Sequence, residues 1–247
     1  MNPLAIAGAV AIGLSLGLTG AGGSILTLPV LVYFAGLPPK EAVGVSLFIV
    51  GAAALAGAIQ RWRSGEFHGR AALMFGAAGM AGAAVGARFT GMVSEKALMV
   101  SFAVLMLVVA VRMLKGRTGE AEPEPDCRPG RCLVAGTGTG LLTGFIGVGG
   151  GFLLMPALMR YARLPIRTAT GTSLAVISVN SMVGWLSHLP TSGGHWSVTA
   201  LFAALAIVGT LAGKALSAKL PAKRLKQGFA GLVLVVGIQV LWRSVIS

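Results

Sequence analysis

A stretch of 35 residues near the start of the chain recurs, without a gap, 127 positions later. Gly13-Leu14-x-x-Gly17-x-x-Gly20-x-Gly22-Gly23-x-x-Leu26-x-x-Pro29 returns as Gly140-Leu141-x-x-Gly144-x-x-Gly147-x-Gly149-Gly150-x-x-Leu153-x-x-Pro156. Leu37-Pro38 then aligns with Leu164-Pro165, and Ala42-x-Gly44-x-Ser46-Leu47 with Ala169-x-Gly171-x-Ser173-Leu174. Sixteen of the 35 positions from Gly13 to Leu47 are identical. Gly82 and Gly86 pair with Gly209 and Gly213 at the same offset, and Phe102 with Phe229. The fold must therefore be built from two copies of one unit, 1–115 and 132–247. The polar segment 116–131 joins them and holds four of the seven acidic residues.

Each copy is too apolar for water. Only 11% of the 247 residues are charged, 55% are apolar, and the mean hydropathy is +0.84. A soluble domain carries about 25% charged residues. The apolar residues run together at Leu4–Leu16, Ala42–Ile59, Ala71–Ala87, Ala97–Val111, Leu174–Leu186, Val198–Gly213 and Phe229–Trp242. With small flanking residues, most of these reach the roughly 17–25 residues that cross a hydrocarbon core. The chain reads as an all-α polytopic membrane protein, each half a glycine-rich first element followed by three ordinary spans. The net charge of +13 sits in short loops, where it signals topology rather than nucleic-acid binding. Lys40 is the first basic residue, so the basic start of a secretory signal is missing and Leu4–Leu16 is expected to stay. Cys127 and Cys132, both in the central polar linker and without neighbouring histidines, read as two ordinary loop thiols.

The basic residues decide how the glycine-rich elements run. If each crosses once, the twenty Lys and Arg divide nine against eleven. If each enters and leaves on one side, as a hairpin broken at its glycines, the division is 16 against 4, a positive-inside pattern. Each half then has an odd number of full crossings, and the second is inverted relative to the first. The loop around Arg61, Arg63 and Arg70 is basic, while its counterpart 187–197 has no Lys or Arg, in agreement. The linker is expected on the cytoplasmic side and the C-terminus outside; the N-terminus follows outside by symmetry.

Inverted repeats with broken helices near the bilayer midplane are an architecture of secondary transporters. The breaks are expected at Gly20-Ala21-Gly22-Gly23-Ser24 and Gly147-Val148-Gly149-Gly150-Gly151, with short helices restarting near Ser24 and Gly151. Their free N–H groups and positive dipole ends, facing each other, form an anion site that needs no basic side chain. Thr19, Ser24 and Thr27 add hydroxyls. Close helix packing is the alternative for these glycines, and the expected role of Gly82, Gly86, Gly209 and Gly213. Ser173, Asn180, Gly184 and Ser187 share one helix face, either as a cavity stripe or as interhelical hydrogen bonds; Asn180 is the candidate substrate contact among them. His188 reads as a solvated interfacial residue, Arg88 and Lys214 as snorkelling cations, and Trp62, Trp196 and Trp242 as belt residues.

The doubled glycine motif and the paired Leu-Pro…Ala-x-Gly-x-Ser-Leu segments resemble the TauE/SafE family of sulfite exporters, over nearly the whole chain. The most specific parts are Gly140–Pro156 and Leu164–Leu174, with Gly13–Leu47 as the matching copy. The resemblance implies a multi-pass permease of the bacterial inner membrane that moves sulfite, organosulfonates or related sulfur oxyanions. One departure is the first tip, Gly22-Gly23-Ser24, against three glycines in the second.

All seven acidic residues (Glu41, Glu66, Glu95, Glu120, Glu122, Glu124, Asp126) fall in or beside loops. No carboxylate is expected mid-membrane for ion coupling, so the expectation is export of a small anion driven by the membrane potential. No cofactor, metal or nucleic acid is expected, only anion and lipid, and a homodimer stays open. The competing readings are another cargo, such as a carboxylate or metal ion, a non-transporting membrane scaffold, and an intramembrane enzyme, for which no nucleophile–base pair is evident.

Overall fold

The computed structural model describes residues 3–90, 95–115, 128–146, 151–188 and 196–246. Among these it is helical, with no strand. The first half supplies α1 (Pro3–Thr19), α2 (Gly22–Tyr33), α3 (Pro39–Arg63), α4 (Gly69–Thr90) and α5 (Glu95–Lys115). The second supplies α6 (Pro129–Ile146), α7 (Gly151–Tyr161), α8 (Ile166–His188), α9 (Trp196–Lys219) and α10 (Ala222–Ile246). Pro39, Gly69 and Glu95 open their helices at the repeat offset from Ile166, Trp196 and Ala222. Each apolar run of the sequence lies in one of these helices.

Lengths separate the elements. At 1.5 Å per residue, the 25 residues of α3 or α10 reach about 37 Å, more than the hydrocarbon thickness. By length and composition, parts of α3, α9 and α10 qualify as spans. The 12 residues of α2 and 11 of α7 reach only about 16–18 Å and cannot cross. Instead, α2 folds back on α1, so that Gly8 faces Val30, and α7 packs on α6.

Between these arms and the next helix the chain turns at repeat-related residues, Gly36 (φ 71°) and Arg163 (φ 50°). A left-handed arginine is strained where glycine is not. The turn geometry is thus shared although the residue type is not.

Packing joins one half to the other. α1 lies parallel to α9 with backbones almost touching: a side chain at Gly13 would meet the Ala206 carbonyl, one at Gly17 the Thr210 carbonyl, and one at Gly213 the Leu14 carbonyl. α4 and α6 make the equivalent seam through Gly82 and Gly140. α3 and α8 cross antiparallel, with Leu47 against Gly184, Gly51 against Ser181 and Met182, and Gly57 against Leu174. α5 packs on α10, where Gly237 meets Met106 and Leu107. The repeat partners Phe75 and Phe202, Leu31 and Leu158, and Ala42 and Ala169 are all fully buried.

Polarity is turned inside out. Thr170, Thr172, Ser173, Thr210 and Arg61 are buried, while Leu73 and Val134 are about three-quarters exposed. Water would penalise such an apolar outer surface, and lipid would not. Trp62, Trp196 and Trp242 are exposed at helix ends.

One expectation is corrected. Cys132 is not a loop thiol: it is buried in the first turns of α6 and disulfide-bonded.

Candidate functional site

The first tip is built by three neighbouring residues. Gly20 takes a φ of 74°, a left-handed conformation that ends α1 and that glycine adopts without strain. Its N–H still donates to the Leu16 carbonyl at 2.7 Å. Thr19 then acts in two directions: its hydroxyl donates to the Ser15 carbonyl at 2.7 Å and accepts the Gly22 N–H at 3.0 Å. Thr19 therefore caps α2 in place of Ala21, which makes no side-chain cap bond. Helix α2 begins at Gly22, two residues before the expected restart at Ser24; α7 begins at Gly151. The hydroxyls of Ser24 and Thr27 donate to the carbonyls of Ala21 and Gly23, each at 2.8 Å.

Gly22 and Gly23 serve the hairpin. A side chain at Gly22 would meet the hydroxyls of Ser15 and Thr19, and one at Gly23 the Ile12 carbonyl and the Leu16 side chain. An alanine at Gly22 is therefore not the clean probe of binding that the sequence suggests.

Gly20 packs on α8, where the Ser173 hydroxyl donates to its carbonyl at 3.2 Å and to that of Thr170 at 2.9 Å. A Cβ at Gly20 would stand 2.6 Å from Thr170 Cγ2. Further along α8, Ile177 lies beside Gly151: a Cβ there would be 2.7 Å from Ile177 Cδ1 and 3.0 Å from Ser24 Oγ. Ser24 and Gly151 are repeat partners, so the first turns of the two return helices meet at equivalent residues. Ser173, Ile177 and Asn180 fall at i, i+4 and i+7 on one face of α8. The buried Oδ1 of Asn180 has no hydrogen-bond partner, nor has Ser15 Oγ beside Gly22. A buried polar atom left unpaired costs about 1–3 kcal/mol, so both are unusual.

Gly20, Ser24 and Gly151 are thus brought together against the α8 face that carries Asn180. Thr19, Gly22 and Gly23 are turned into the hairpin's own backbone. Gly147, Gly149 and Gly150 lie outside the described residues. Gly184 packs on Leu47 rather than lining a stripe with Asn180. Among the described residues no group of three or more His, Cys, Asp or Glu could hold a metal ion.

Sequence reasoning missed Arg61. Counted as a loop-end topology charge, it is in fact fully buried and bonded to the last turn of α1. No local pattern marks it, because two of its partners are 44 and 156 residues away.

Residues 4–240 match the model of the family described as sulfite exporter TauE/SafE. A probable membrane transporter protein of Xylella fastidiosa (strain 9a5c) is 32% identical over 240 residues, covering 94% of this chain and 92% of that one. The probable membrane transporter protein YunE of Bacillus subtilis is 24% identical, over 93% of each chain. One from Methanocaldococcus jannaschii is 26% identical over 97% of this chain and 95% of its own. No solved structure matches.

Proposed function

Because the chain belongs to the TauE/SafE family and is a membrane transporter, we propose that it carries small anions through a site between two inverted halves. Sulfite, organosulfonates or other sulfur oxyanions are the cargo, and the bacterial inner membrane is the location. The observation that carries this reading is the meeting of Ser24 with Gly151, at the first turns of two short helices that cannot cross the membrane. Helix α3 also runs antiparallel to its repeat partner α8, as an inverted pair must.

The chemistry follows from what those turns expose. The N–H groups of Gly23 and Ser24 belong to the first turn of α2, which has no intrahelical acceptors, and the helix dipole favours negative charge there. Thr19 already satisfies Gly22. The side-chain amide of Asn180, through its nitrogen, supplies a further donor, and the Ser24 hydroxyl does so on leaving the Ala21 carbonyl. An inside-negative potential favours anion exit by about 2.3 kcal/mol per charge per 100 mV, so export needs no coupling ion. The 16-against-4 division of basic residues supports a cytoplasmic linker and an external C-terminus.

The test is a thermal-shift and binding screen of sulfite, sulfate, thiosulfate, sulfonates and carboxylates on detergent-solubilised protein, followed by flux in proteoliposomes at set potentials. Saturable oxyanion binding and flux that follows the potential are expected. Flux of labelled sulfite indifferent to potential would remove the uniport mechanism, and absence of any anion binding would remove the carrier reading.

A further inference from the structure

At the end of the molecule where α1, α3 and α9 finish together, Arg61 is the one fully buried charged residue among those described. Its Nη1 donates to Glu66 Oε2 at 2.7 Å. Its Nη2 donates to the Gly17 carbonyl at 2.6 Å and to Ser217 Oγ at 3.1 Å. Its Nε–H, equally buried, has no acceptor. A guanidinium offers its donors as a rigid fork that matches two oxygens of one anion, and one tooth of this fork is empty.

The position ties the residue to the tip. Gly17 lies one turn before Gly20, which rests on Thr170 and Ser173 of α8. Arg61 meets the same stretch of α8: a Cβ at Gly171 would be 3.0 Å from Arg61 Cβ and would strike the Glu66 carbonyl. Glu66 itself sits on the rim, its side chain 21% exposed, on the short turn after α3 that Gly65 (φ 73°) allows. A buried cation requires an anion beside it. Here that anion is a carboxylate whose side chain reaches the edge of solvent. The other half has nothing equivalent in sequence: Arg61 corresponds to His188 and Glu66 to Gly193.

We propose that Arg61 is a second oxyanion-binding residue, on the way to the tip site, and that Glu66 occupies its guanidinium until a transported anion displaces it. The inference rests on the anion-carrier reading. An oxyanion oxygen takes the Nη1 position that the Glu66 carboxylate vacates, while Nη2 stays with Gly17 and Ser217. The ion pair is therefore a seal that an oxyanion opens by exchange, at one end of the molecule and not at the other.

Binding of labelled sulfite to the purified full-length protein tests this, with chloride as the competing probe. Glu66→Gln removes the competing charge and lowers stability, because Arg61 loses its anion, but its folded fraction is expected to bind sulfite about tenfold tighter, since a larger fraction of it is binding-competent. Arg61→Lys keeps the charge, loses the fork, and is expected to bind about tenfold more weakly. Arg61→Gln alone would leave Glu66 without its cation, so the double variant Arg61→Gln/Glu66→Gln is the control for folding. It is expected to elute like the parent, because no buried charge is stranded, yet to lose sulfite affinity. Sulfite binding to Glu66→Gln no tighter than the parent, or parental affinity in the double variant, overturns the inference and leaves the carrier reading standing. A parent protein that binds neither sulfite nor any other oxyanion overturns both.

Discussion

Two glycine-rich regions of this molecule look alike in sequence and do different work. In the α1–α9 seam, Gly13, Gly17, Gly209 and Gly213 let two backbones touch, with carbonyls of one helix against Cα atoms of the other. Around the tip, Gly20 and Gly151 face the side chains of Thr170, Ser173, Ser24 and Ile177, with the unpaired amide oxygen of Asn180 on the same face of α8. A glycine against backbone is there for contact alone. A glycine against side chains, beside an unsatisfied amide oxygen, has neighbours that can shift. Gly22 and Gly23 fall between the two kinds: they belong to the tip by position and to the hairpin's packing by their neighbours.

The comparison breaks most visibly in the seam. Gly13→Ala sets a methyl against the Ala206 carbonyl, and main chain cannot step aside. Overpacking of this kind is expected to cost about 3 kcal/mol or more, read as loss of monodisperse protein on size exclusion and a large fall in melting temperature. A folded Gly13→Ala protein with parental stability would dissolve the distinction between seam and tip.

Gly20→Ala is expected to be milder. The left-handed φ of 74° costs an alanine about 1–2 kcal/mol, and the new methyl would press on Thr170 Cγ2. Thermal shift should show a smaller drop than for Gly13→Ala, while sulfite binding is lost because the tip moves away from Ser173.

The smallest effect on stability is expected at Asn180. Removing an amide whose oxygen has no partner should change stability by less than about 0.5 kcal/mol. Sulfite affinity should nonetheless fall about tenfold, the worth of one hydrogen bond to a charged ligand. Asn180→Ala with parental affinity, measured by equilibrium binding, would take α8 out of the site.

The sequence made the helical class, the apolar runs and the break after α1 legible, because a shared offset and the end of an apolar run are local, countable features. It marked the break after α1, where Gly20 takes the left-handed turn. It could not separate packing glycines from site glycines at Gly22 and Gly23, since what matters there is the neighbour across the hairpin. Nor could it find the burial of Arg61, whose acceptors come from α1 and α9. Cys132 looked like a linker thiol because the sequence places it beside the polar segment, whereas it is buried in the first turns of α6.

The most direct measurement concerns the opposed orientation of the two halves. Gly36 and Arg163 are repeat partners on exposed turns of equivalent geometry. Single cysteines at these positions, with Cys127 and Cys132 replaced by alanine, can be labelled in intact and permeabilised cells with a membrane-impermeant maleimide. Labelling of Gly36→Cys from outside, and of Arg163→Cys only after permeabilisation, is the expected result. Labelling of both from the same side would contradict the inverted pair, and with it a site shared between α2 and α7.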